Sequence, residues 1–344
     1  MDIILILPIV ISIALTSLVL PYWIKKCRIV GLLWEDMNKY GKPKNVASSG
    51  GIVVVMAFVL GVLSYVAIKT FVLKISDEAI TGIFLKLFAL LAVILILAIV
   101  GLVDDLLGWK RKGLSKRFRI FLAFVASIPL IVINAGEQVI SLPLVGQVDL
   151  GILYPLIIIP IGIAGATTTY NFLAGFNGLE AGQGIIILSF LSFVAYSTGY
   201  SWLALIGLCM AASLAVFYFY NKFPARVFPG GILTYSVGAL IASMAILGNF
   251  EKVALFVFIP YMVEVVLKLR GGLKKHSFAK PNKDNSLELP YKKFYSLNHI
   301  AIAMLKRIKP SHKVYERDVS YFIHAVQILI IIIAFIVFRR SIFI

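Results

Sequence analysis

Ten apolar windows, several of them about 17 residues or longer and separated by polar gaps, leave this chain few folds to choose from. They fall at roughly 3–23, 51–68, 83–103, 118–134, 152–170, 184–198, 202–219, 231–248, 253–269 and 321–338. A chain that is 60% hydrophobic and 14% charged has too little polar surface for a soluble globule. The expected fold is therefore an all-α integral membrane protein of about ten transmembrane helices, a single polytopic domain over 1–344. Basic residues set its orientation. Of 33 Lys and Arg, 27 fall in one set of alternate gaps, and six (Lys69, Lys74, Lys86, Lys252, Arg339, Arg340) fall opposite. The positive-inside rule then puts both termini outside and the charged loops in the cytoplasm.

The one long polar interval, 270–320, is expected to form a small cytoplasmic insert between the last two helices. Within it, 286–289 suits a short strand and 291–309 a helix on the membrane interface. On the outer side, 138–150 alternates apolar residues around Pro143 and Gly146, as a short hairpin would. The first window has no basic stretch before it and Lys25, Lys26 and Arg28 after it, which reads as a retained helix. Two cysteines, Cys27 and Cys209, indicate neither a disulfide framework nor a cysteine metal site. The net charge of +17 is expected to be mostly a cytoplasmic surface that also attracts anionic lipid head groups, and no nucleic acid partner is expected.

Chemistry concentrates in the gaps on the cytoplasmic side. Asp104 and Asp105 end the third window, and like charges at that depth need water, a cation or a basic partner. Adjacent oxygen ligands suit a hard cation such as magnesium, with manganese as a substitute. The following GWKRKGLSKRFR, which contains Lys116, has glycine spacing reminiscent of a P-loop but lacks its Lys-Ser/Thr pair; its basic residues can still orient a diphosphate. In YNFLAGFNGLEAGQG (170–184), glycines permit close backbone approach, while Asn171, Asn177 and Glu180 can bind a cation or a nucleobase. YNKFPARVFPGG (220–231) offers Arg226 and Phe228, the latter able to stack on a base or anchor the interface. In the loop 35–51, Lys39, Lys42 and Lys44 are placed to border a phosphate site.

Taken together, DMNK (36–39), GLVDDLLG (101–108), VDLGILY (148–154), NFLAGFNGLEAGQ (171–183), PARVFPG (224–230), ILGNF (246–250) and LELPYKKF (287–294) make the chain resemble the polyprenyl-phosphate N-acetylhexosamine-1-phosphate transferases. The dolichyl-phosphate branch of eukaryotes and archaea is the most similar. The resemblance implies ten helices and transfer of GlcNAc-1-phosphate from UDP-GlcNAc to a polyprenyl phosphate, releasing UMP with magnesium. It also implies a site on the cytoplasmic face of the membrane and allows for a homodimer. By this likeness Asp104 and Asp105 fall on the family's aspartate pair, Asn171 on a metal-binding asparagine, and Gly175 and Asn177 on uridine contacts. Phe228 falls on the aromatic against uracil, Lys116 on a phosphate-binding lysine, and Lys275 and His276 on a basic pair near the diphosphate and sugar.

The chain departs from that pattern at two points. Gly231 stands where the family carries a metal-binding aspartate, which implies weakened metal binding and reduced turnover. Thr168 replaces the first asparagine of an N-x-x-N pair. Two further readings compete with the enzyme: a non-catalytic binder of UDP-sugar or lipid phosphate, suggested by Gly231, and a lipid or solute transporter.

Overall fold

The computed structural model describes residues 3–74, 78–110, 113–142 and 146–342. Chain order runs α1 (Leu7–Val30), a hairpin of β1 (Leu33–Glu35) and β2 (Lys44–Ala47), α2 (Gly51–Ala67), α3 (Glu78–Lys110), α4 (Lys116–Val125) and α5 (Ile128–Val132). A second hairpin, β3 (Val139–Leu142) and β4 (Gly146–Asp149), leads to α6 (Ile159–Phe172), α7 (Leu179–Ser197), α8 (Ser201–Asn221) and α9 (Gly230–Leu247). Then follow α10 (Glu251–Val257), α11 (Ile259–Arg270), a small ladder of β5 (Lys280–Pro281) with β6 (Leu287–Glu288), α12 (Leu297–Ile308) and α13 (Glu316–Ile342).

Eight described helices are long and apolar enough to cross a membrane, where the sequence suggests ten. The difference lies in windows 118–134 and 253–269, each of which is two shorter helices. Pro129 and Pro260 sit in the first turn of the second helix of each pair. Proline lacks the N–H that would continue the preceding helix but suits a helix start. The hairpin over 138–150 and the strand and helix inside 270–320 are present, with the helix starting later than its pattern suggests, at Leu297 behind a Ser296 cap. Residues 143–145, including Pro143 of the hairpin turn, lie outside the described residues.

Helix α9 is the axis of the bundle. Its sequence is apolar or small on every side, the signature of a helix with no solvent face, and it is almost wholly buried against α3, α6, α2 and α7. Small residues bring the backbones close: a Cβ at Gly238 would lie 2.8 Å from the Ala166 carbonyl of α6. Outer helices α1 and α13 bury little of their length and turn Ile328, Leu329, Ile332 and Ile336 outward, as a lipid-facing surface requires.

The insert carries its own pH dependence. His299 on α12 is only 1% exposed, and this burial is the main cause that pulls its imidazole down to about 4 from 6.5. The unfolded chain therefore takes up a proton before the folded one does. Stability from neutral His299 is complete above about pH 6.5 and is lost as pH falls toward 4, by up to about 3 kcal/mol. Thermal unfolding at pH 7.5 and pH 5 should show this loss, and a His299→Gln variant should show a smaller one.

Candidate active site

At one end of the bundle a cleft of about 460 Å³ opens between the last turns of α3, the loop joining α6 to α7, the start of α9, the β1–β2 hairpin and the insert. Its described lining includes Asp104, Asp105, Asn171, Gly175, Glu180, Phe228 and Gly231. Seven of the sequence-derived candidates, from three stretches separated by more than forty residues each, thus meet in one cavity.

Asp105 is the best anchored of them. Its Oδ1 accepts from the Gly231 amide at 2.7 Å, its Oδ2 accepts from Ser49 Oγ at 3.1 Å, and the Ile232 amide also donates to it. A carboxylate at the N-terminus of α9 satisfies amides that the helix leaves unpaired and meets its positive dipole end. Gly230 makes this possible. It has φ +73, and a Cβ there would lie 2.1 Å from Asp105 Oδ2.

Asp104 faces the other way along the helix end. It accepts from the Leu114 amide at 2.7 Å and pairs with Arg119 Nη1 at 2.6 Å, closing the start of α4 onto α3. Asn171 Oδ1 accepts from Thr234 Oγ1 at 2.8 Å, one turn into α9. Glu180, in the first turn of α7, accepts from the Gly175 amide at 2.8 Å and so shapes the loop before its own helix. Gly175 itself has φ +96 with the Phe278 ring 2.6 Å from where a Cβ would stand, so only glycine fits there. Phe228 is held by backbone bonds to Ala47 and Gly50, which fasten the loop before α9 to β2 and α2.

Eight candidates fall outside the cleft lining, among them Lys42 and Lys44, both exposed. Asn177 is buried beneath it, its amide bonded to Glu316 at 2.9 Å and its side chain to Asp36 at 3.3 Å. Lys39 pairs with Glu316 and Asp36 and lies over the Phe223 ring. Lys116 donates to the Leu273 carbonyl and lines a small neighbouring slot. Arg226 is exposed, Lys275 covers the Tyr291 ring, and His276 leans on Phe278 and Tyr291.

The sequence reading also passed over a hub. Asn38 donates to the Gly175 carbonyl at 2.7 Å and to Glu316 at 3.2 Å, and accepts from the Ala279 amide at 3.0 Å. One buried amide thus ties the β1–β2 hairpin to the α6–α7 loop, the insert and α13. The DMNK stretch contained the signal, as a polar run with no solvent-exposed helix to occupy. Trp34, Glu35, Asp36, Phe278 and Arg119 also line the wall.

Among the described lining residues, five are carboxylates (Glu35, Asp36, Asp104, Asp105, Glu180) and one, Arg119, is a cation. An anionic substrate enters such a cavity only with added positive charge. The hard oxygen donors Asp104, Asp105 and Asn171 fit magnesium, which uses one or two carboxylates plus substrate phosphates and water. No three His, Cys, Asp or Glu side chains among the described residues form a ready-made cage, so the protein's share of such a site is small.

The family described as Glycosyl transferase family 4 matches residues 87–249, the span that contributes Asp104, Asp105, Asn171, Glu180 and Phe228. Along nearly the full chain, a protein of Saccharolobus solfataricus is 37% identical over 304 residues, covering 87% of this chain and 88% of its own. The chain belongs to this family. The Saccharolobus relative carries the provisional name UDP-N-acetylglucosamine–dolichyl-phosphate N-acetylglucosaminephosphotransferase. A Dictyostelium discoideum relative with that name is 30% identical, over 66% of this chain and 62% of its own. A phospho-N-acetylmuramoyl-pentapeptide-transferase of Shouchella clausii is also 30% identical, over 67% and 70%. Family members of this kind are polyprenyl-phosphate hexosamine-1-phosphate transferases, and the chain is an enzyme of that type. A transporter is disfavoured on the same ground.

Proposed function

We propose that the enzyme transfers N-acetylglucosamine 1-phosphate from UDP-GlcNAc to a dolichyl-type polyprenyl phosphate, releasing UMP with magnesium at the cytoplasmic face of the membrane. The observation that carries this reading is the meeting of the aspartate pair, the Asn171–Glu180 loop and Phe228 in one cleft. The names of the relatives supply the donor and acceptor.

In the reaction an oxygen of the lipid phosphate attacks the sugar-linked phosphorus, and the bond from that phosphorus to the UMP phosphate breaks. A phosphate near pH 7 is already anionic, so alignment and charge neutralisation matter more than a strong base. Phe228 supplies a face for the uracil ring, and the Gly175 backbone lets the nucleotide approach without a side chain in the way. Asp104 is assigned to the lipid-phosphate side. Asp105 and Asn171 would hold magnesium, which supplies positive charge to the diphosphate when bound. Asn177 acts from beneath, by holding the loop that carries Gly175.

Gly231 lowers the affinity for that cation because it offers no side-chain oxygen. A Cβ there would stand 3.2 Å from Asp105 Oδ1, so an aspartate at this position would bring a second carboxylate beside the first. Gly231→Asp should lower the melting temperature in chelator by like-charge repulsion and recover it when magnesium is added. It should also raise magnesium-dependent UMP release roughly 10- to 100-fold at limiting metal. If neither magnesium response changes, the metal-ligand account of position 231 is wrong. UMP release by the purified enzyme from UDP-GlcNAc and polyprenyl phosphate tests the function itself. Tight binding of both substrates without UMP release would favour the non-catalytic reading that Gly231 suggests.

A further inference from the structure

Arg119 has a position that its ion pair with Asp104 does not fully explain. Helix α4 has two faces. Phe118, Phe121, Phe124 and Val125 form an exposed apolar stripe suited to acyl chains, while Arg119, Ile120 and Ala123 turn inward. Arg119 lines both the main cleft and the small slot behind it, between α4 and α6. One nitrogen, Nη1, meets Asp104 at 2.6 Å, and the Tyr235 hydroxyl also accepts from the guanidinium. A guanidinium carries five N–H donors in a rigid fork, so these two partners leave donors available, and the side chain keeps 23% exposure.

The charge balance gives those donors a purpose. Asp104 next to an incoming phosphate is a like-charge contact, and Arg119 is the one cation among the described lining residues. Phe228, Gly175 and Phe278, which also line the cleft, have the aromatic and open-backbone character suited to a base. Arg119 stands instead beside the lipid-facing helix. We propose that Arg119 binds the phosphate of a membrane-borne lipid phosphate arriving along α4, with Asp104 and Tyr235 holding the guanidinium in position. This rests on the transferase reading above and assigns the recognition of its lipid substrate to a residue that Asp104 orients.

The test is equilibrium binding of labelled farnesyl phosphate to the full chain in nanodiscs, with farnesol and inorganic phosphate as competitors, alongside steady-state kinetics with each substrate varied. Arg119→Gln should weaken farnesyl phosphate binding about 10- to 100-fold, the worth of a charge-assisted hydrogen bond, and raise the KM for polyprenyl phosphate in step. The KM for UDP-GlcNAc should stay within about threefold, and Arg119→Lys, which keeps the charge but not the fork, should fall between the two. Farnesol should not compete. Inorganic phosphate competing as well as farnesyl phosphate would overturn the lipid assignment, and so would a loss confined to the nucleotide sugar. Unchanged farnesyl phosphate affinity in a folded Arg119→Gln protein would overturn the role altogether. If that variant does not fold, Arg119→Lys decides: affinity equal to the unmodified enzyme overturns the proposal. Arg119-dependent farnesyl phosphate binding without UMP release would leave this proposal standing and remove the transferase reading.

Discussion

Asp105→Asn should cut UMP release roughly 100- to 1,000-fold, a loss of the size seen when one preorganised polar group leaves an active site. The substitution keeps the shape of the side chain and removes its charge. Half of the new amide is a donor, and the Asp105 oxygens face only donors: the Gly231 and Ile232 amides and the Ser49 hydroxyl. With Oδ1 kept on the Gly231 amide, the new Nδ2 faces Ser49 Oγ, whose hydroxyl must turn from donor to acceptor, which perturbs the join between α3 and the turn before α2. The charge that attracts a cation goes as well, so added magnesium should not rescue the variant. Steady-state UMP release across a magnesium series checks both points, and activity within a factor of three of the unmodified enzyme would count against an Asp105-centred site.

Glu316→Ala should be the most damaging single change outside the cleft lining. The side chain is 2% exposed and receives Asn38 Nδ2 at 3.2 Å, the Asn177 amide at 2.9 Å and Lys39 Nζ. Removing one partner of a buried charged network leaves the others desolvated, at a cost of about 3 kcal/mol or more. Lys39 keeps Asp36 at 3.4 Å and the Phe223 ring, which tempers the loss. The consequence reaches the substrate through Asn38, because Asn38 also holds the Gly175 carbonyl. The melting temperature should therefore fall, and the KM for UDP-GlcNAc should rise even below the unfolding transition. A drop in melting temperature with an unchanged KM would show that the hub holds the fold without shaping the nucleotide loop.

How much of the cleft the sequence reveals depends on what kind of residue is involved. Asp104 and Asp105 stand out because charge after a long apolar run is costly wherever it lies. Asn171, Gly175, Glu180 and Phe228 stand out because glycine and amide residues gather where helices end. Glu316 gives no such sign, since a carboxylate opening a helix is ordinary, and Asn38 shows only as part of the polar DMNK run; their partners lie 137 to 278 residues away in the chain. Lys39, Lys116 and Lys275 have contacts that their charge does not announce. Their charge suggests phosphate, but a lysine has a long stem and can reach a carboxylate, a carbonyl or a ring nearer at hand.

From the sequence alone, the hydropathy of the windows determines a helical membrane protein, because transfer of apolar helices into lipid is a local property of each segment. Two of those windows break at proline, which the chain also shows but hydropathy averages away. Only the tertiary structure decided that Asp105 caps α9, that Arg119 alone among the described lining cations meets the cleft, and that Gly231 brings its amide against a carboxylate. These outcomes depend on helix packing at a few ångströms, which no spacing along one chain encodes.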